Sequence, residues 1–112
     1  MAMALNAFYG IQVTLTDTTA HNLLALLIAI DPTLSGILQN VATLQVQADP
    51  ANGGANIMIG DSSISTTRYG VKLVAGSAQY IYRDGMAVPL GATYVLASAA
   101  TPLYLNVMIV IM

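Results

Sequence analysis

The chain is 112 residues long, 56% apolar and only 7% charged, with three Lys or Arg against five Asp and a net charge of −2. That length is one domain's worth, able to bury a core without staples, and the absence of cysteine excludes a disulfide framework and thiolate chemistry. Arg68, Lys72 and Arg83 are the whole basic complement, too little to neutralise a phosphate backbone, so nucleic acid is excluded as a main partner.

Along Phe8 to Thr16, Ile11, Val13 and Leu15 alternate with Gln12, Thr14 and Thr16, the period-two pattern of a half-buried strand. Thr16 and Asp17 then offer helix-capping side chains. Ala20, Leu23, Leu24, Leu27 and Ile28 follow at helical spacing, and Asp31-Pro32 stops the run. A helix is therefore expected over about 18–30. Past Asn22 it is apolar nearly all round, so it should be buried on more than one side, against a sheet and against a neighbouring subunit. Thr33 to Asn40 reads as a loop. Val41 to Ala48 alternates again, with Leu44, Val46 and Ala48 against Thr43, Gln45 and Gln47. Asp49 to Gly54 has turn chemistry. Strands are expected at Asn56 to Gly60, Val71 to Val74, Gln79 to Tyr82, Thr93 to Ala97 and Leu103 to Ile111. Ile57 and Ile59 should point one way, before a Ser/Thr-rich loop over Asp61 to Gly70. Ala75 to Ser77, Arg83 to Gly85 and Ala100 to Pro102 are turns, and Val88 to Leu90 is a short segment.

Many short strands separated by turns predict a mainly β fold, a sandwich or a barrel. The expected architecture is an antiparallel, jelly-roll-like sandwich with one short N-terminal helix, all in a single domain over 1–112. The connections are too short for parallel crossovers. Ordinary domains carry about 25% charged residues, and a surface this poor in charge should be covered in part by a partner. Lipid is a poor cover, because a spanning helix needs about 20 consecutive apolar residues. The run Leu23 to Ile30 is far shorter, and Asn106 breaks the last one. No standard secretion signal is expected, since the first basic residue is Arg68. The isolated protein should therefore be an oligomer or insoluble.

Candidates for chemistry are sparse. His21 is the single histidine and the chain has no glutamate, so His21 is read as a solvated residue of the first helical turn. No Gly-x-Ser-x-Gly motif places a serine nucleophile. The acids Asp17, Asp31, Asp49, Asp61 and Asp84 sit in turns or caps, where aspartate bonds nearby backbone N–H groups. A calcium site from Asp49, Asn52, Asp61 and Asp84 is the weaker alternative. Asn52-Gly53-Gly54-Ala55-Asn56 lacks the Gly-Lys-Ser/Thr of a phosphate loop and is read as a turn. Tyr69, Tyr80, Tyr82, Tyr94 and Tyr104 fall on or beside strands, as half-buried residues or as a sugar-stacking surface. No catalytic residue, metal or cofactor is expected.

Several stretches resemble small tailed-phage virion proteins of β-sandwich type, the head decoration or cement proteins. They are Leu44-Gln45-Val46-Gln47-Ala48-Asp49-Pro50, Ile59-Gly60-Asp61-Ser62-Ser63-Ile64-Ser65, Tyr69-Gly70-Val71-Lys72-Leu73, Ala75-Gly76 and Val88-Pro89-Leu90-Gly91-Ala92-Thr93-Tyr94-Val95-Leu96-Ala97-Ser98-Ala99. The helical stretch Leu15 to Leu24 is similar to the first helix of the same group. The resemblance implies a non-enzymatic virion protein on the capsid surface, made in the host cytoplasm. It would pack as a homo-oligomer, a trimer first, on the major capsid protein. A tail, connector or fibre-base component, or a carbohydrate-binding adhesion module, are the alternatives. The expected interface residues are Phe8, Leu23, Leu24, Leu27, Ile28, Leu105, Val107 and Ile109, those of the helix and last strand serving core and subunit contacts alike, with residues 1–8 as a docking arm.

Overall fold

The computed structural model describes residues 8–36, 38–82 and 86–111. The docking arm over residues 1–7, the Phe8 side chain and the turn Arg83 to Gly85 with Asp84 lie outside the described residues.

Among the described residues, eight strands form two antiparallel sheets of four, joined by one α-helix, an arrangement that fits a β-sandwich. The first sheet runs β1 (Phe8–Leu15), β8 (Leu103–Ile111), β3 (Val41–Ala48), β6 (Ala78–Tyr82). The second runs β2 (His21–Asn22), β7 (Tyr94–Ala97), β4 (Ile57–Gly60), β5 (Val71–Leu73). Period-two alternation decides which way each strand of the first sheet faces. In β8, Leu103, Leu105, Val107, Ile109 and Ile111 are buried, while Tyr104, Asn106, Met108 and Val110 are half-buried on the other face. Val13 and Leu15 of β1 and Leu44, Val46 and Ala48 of β3 join the same core.

Strand β4 departs from simple alternation. Ile57 and Ile59 do face the main core, but Met58 is buried as well. It packs with Ile64 and Leu96 in a second small cluster, against which Tyr94 rests. The Asp61 to Gly70 loop thus folds Ile64 over the outer face of the second sheet.

The helix α1 (Leu23–Ile30) is shorter than the expected 18–30. Its cap is Asn22, whose side chain accepts from the Ala25 N–H at 3.0 Å and donates to the Gly91 carbonyl at 2.8 Å. Asp17 is spent elsewhere, accepting from the Thr19 N–H at 3.0 Å in a tight turn. His21 and Asn22 pair with Val95 and Tyr94, so the backbone there is extended. At the other end the Asp31 N–H still bonds the Leu27 carbonyl, and the Asp31 side chain opens a short 3-10 turn at Pro32. The short segment Val88 to Leu90 leads into a 3-10 turn over Leu90–Ala92.

One buried polar residue holds the end of β8. Asn52 is 8% exposed. Its Oδ1 accepts from the Tyr104 N–H at 2.8 Å and its Nδ2 donates to the Tyr104 carbonyl at 3.0 Å. The side chain thereby stands in for a neighbouring strand, which matters because an unpaired buried N–H is costly. Asn52→Ala should destabilise the fold by about 2 kcal/mol, read as a lowered urea midpoint with unchanged slope. Asn52→Asp keeps the acceptor but turns a carboxylate oxygen toward the Tyr104 carbonyl, so at neutral pH it should destabilise at least as much as Ala.

Candidate functional site

The outer face of the first sheet is built by register. Gln12 of β1 and Gln47 of β3 both lie opposite Asn106 of β8. One row along, Gly10 and Gln45 lie opposite Met108, and Gln45 lies opposite Tyr80 of β6. These residues occupy the outward positions of alternating strands, so the core cannot use their side chains. Gly10 has no side chain, and a Cβ placed there would meet nothing within 4 Å. The result is a depression of about 440 Å³ over Gly10, Gln12, Gln45, Gln47, Asn106 and Met108.

The amides along the Asn106 row are oriented in one direction. Gln12 Nε2 donates to Asn106 Oδ1 at 3.0 Å, and Asn106 Nδ2 donates to Gln47 Oε1 at 3.2 Å and to Asp49 Oδ2 at 3.1 Å. Asp49 ends the row. Its other oxygen accepts from the Ala51 N–H at 2.8 Å, and Gln12 Nε2 reaches Oδ2 at 3.5 Å. The Ala51 N–H and then the Asn106 amide hold the Asp49 carboxyl below its ordinary range. The Gln45 side chain has no hydrogen-bond partner among the described residues, and Tyr80 is 56% exposed.

The residues expected at an interface separate into two groups. Leu23, Leu27, Leu105, Val107 and Ile109 are at most 2% exposed and belong to this chain's own core. They fill the core role expected for them and, within this chain, keep almost no surface for the subunit contact expected beside it. Leu24 and Ile28 are half-buried and line a groove with Leu38, Val88, Pro89 and Leu90. Ile30, at the end of the helix, is 50% exposed.

His21 sits in β2 and not in a helical turn. Its Nε2 lies 2.8 Å from Asp17 Oδ1 and 3.3 Å from Thr19 Oγ1. A catalytic relay needs the carboxylate and the nucleophile on opposite ring nitrogens. Here both partners share one nitrogen, so the cluster is a turn lock. The other described acids behave alike. Asp31, Asp49 and Asp61 each accept from the backbone N–H two residues on, at Thr33, Ala51 and Ser63. Asp61 also meets Arg68 at 3.4 Å on the surface. Among the described residues no three His or Asp side chains converge to hold a metal. No described helix is long and apolar enough to cross a membrane. Of the tyrosines, Tyr80 and Tyr69 are exposed, while Tyr94 and Tyr104 are half-buried. No family model and no curated protein matches the chain.

The Thr19 hydroxyl, then His21, then the Thr19 N–H together lower the Asp17 pKa from 3.8 to about 2. A lowered acid pKa stabilises the fold above the ordinary value and loses that contribution as pH falls toward the lowered one. Carbon-detected NMR titration should therefore place Asp17 near 2, and the β1–β2 turn should loosen only below pH 3.8. In Thr19→Ala the Asp17 midpoint should rise further than in His21→Ala, because Thr19 supplies the larger share.

Proposed function

We propose that the protein is a structural subunit of a phage particle, a capsid decoration protein. In this reading it packs as a homo-oligomer, a trimer first, on the major capsid protein and stabilises the shell by binding alone, with no enzymatic turnover. We also read the two-sheet wiring as an eight-stranded jelly roll. Supporting that reading, the chain passes between the sheets to give β1-β8-β3-β6 facing β2-β7-β4-β5. Jelly rolls of this size serve viral capsids and lectins, although a fold alone does not fix a function.

The observation that carries the proposal is the helix side of the molecule. Leu24 and Ile28 remain half-exposed beside a groove floored by Leu38, Val88 and Leu90, and Ile30 is half out in solvent. An apolar patch of this kind marks a protein contact more often than free surface. The two long edges of the first sheet add to it. Strands β1 and β6 carry no charged residue, whereas natural edges usually use charge to prevent pairing. Burial at ~25 cal/mol per Å² of apolar surface, repeated over symmetric copies, is a sufficient source of shell stability.

In purified particles, copy number should scale with the number of capsid subunits; a count matching a single tail or vertex would overturn the decoration role. The isolated protein should sediment as an oligomer. Ile30→Lys should shift it toward monomer by on the order of 3 kcal/mol, because a charge would be buried unpaired. A cation at a helix C-terminus is itself favourable, so thermal unfolding of the monomer should change little. A wild-type chain that stays monomeric at high concentration would contradict the proposal.

A further inference from the structure

We propose that the depression on the outer face of the first sheet binds a neutral oligosaccharide. The inference is independent of the helix side and of any role on a particle. Its ground is the combination of three features on one sheet face: a floor opened by Gly10, a directed row of amides, and an exposed aromatic ring, Tyr80, one strand beyond the lining residue Gln45.

The amide row determines the ligand class. Its members are uncharged and held by one another across three strands, from Gln12 through Asn106 to Gln47. Such groups are preorganised, so a ligand pays little to order them. Gln45 offers both a donor and an acceptor with no protein partner among the described residues. An apolar partner pressed onto this face would desolvate those amides without pairing them, which is costly. An anionic ligand would meet the Asp49 carboxylate at the end of the row, with no cation beside it in the network. A neutral polyol suits both conditions. Neighbouring hydroxyls both donate and accept, as side-chain amides do.

Tyr80 supplies the second half of sugar recognition. It follows Gln45 across the strand pair and is more than half exposed. An aromatic ring next to the unpaired Gln45 amide can take the C–H face of a pyranose while the amides take its hydroxyls. Gly10 completes the site from the opposite side, because any larger residue there would fill the floor.

The test uses the full chain on a glycan array carrying neutral, sialylated and sulfated oligosaccharides. Neutral hits are then titrated into ¹⁵N-labelled protein. Saturable shifts are expected in the side-chain amide signals of Gln45, Gln47 and Asn106. Tyr80→Ala should weaken binding about tenfold, and Gly10→Val should abolish it. Both variants alter exposed positions, and the Gly10 site has room for a Cβ, so unchanged thermal unfolding confirms that each is folded. Failure of every neutral glycan to bind overturns the inference. So does binding that survives both variants, or a preference for sialylated or sulfated glycans. Gly10 and Tyr80 lie on the edge strands β1 and β6, so each variant is also sedimented; loss of glycan binding at unchanged sedimentation supports this site, and loss of binding only where the oligomer is lost overturns it.

Discussion

Everything on the outer sheet depends on the register of β8 against its two neighbours. Strand β8 is central, lying between β1 and β3. Its alternation sends five aliphatic residues into the core and leaves Tyr104, Asn106, Met108 and Val110 on the far side. A slip of one residue would expose the aliphatic set, so the core fixes the register strongly. Once fixed, Asn106 must lie between Gln12 and Gln47, and Met108 between Gly10 and Gln45. Asn52 reinforces the same register where β8 begins, by pairing both backbone groups of Tyr104. The surface site is therefore a by-product of core packing, held by many buried contacts and not by a flexible loop.

The strands were legible because alternation is local. Val41–Ala48 and Leu103–Ile111 match the sequence reading end to end, and the other long strands differ from it by about a residue. Strand β2 was not legible. It is two residues long and exists because His21 meets Val95, a pairing with no local signature. That pairing also explains the shortened helix, since Asp17 and Asn22 have similar capping chemistry and only tertiary context selects Asn22. The burial of Met58 was partly legible, because Ile57-Met58-Ile59 is a continuous apolar run, the mark of a strand covered on both faces. For the outer face, the outward positions of Gln12, Gln45 and Gln47 could be read from the sequence. Their alignment with Asn106 could not, because it joins residues 94 apart in the chain.

Scarcity of charge has a structural counterpart. Asp17, Asp31, Asp49 and Asp61 each close a turn by accepting a backbone N–H two residues on. The described acids are thus committed to shaping connections, and little charge remains for the sheet faces and edges. Lys72, on the short edge strand β5, is exposed and can guard that edge. Strands β1 and β6 have no such guard. The longer edges are thus left uncharged while the shorter one is protected, which is what the proposed assembly role asks of them.

The two exposed regions differ in what they demand of a partner. On the helix side, Leu24, Ile28 and Ile30 gain from any dry, shape-matched surface, and the cost of burying them is small. On the sheet side, each amide that loses water must find a new hydrogen bond. A protein surface rarely offers donors and acceptors in the spacing of a directed amide row, whereas a polyhydroxylated ligand can adjust each hydroxyl to fit. Assembly through the first region and recognition through the second are therefore compatible in one small domain. The apolar contact leaves the amide row in solvent, and the shared β-sheet core keeps both surfaces fixed.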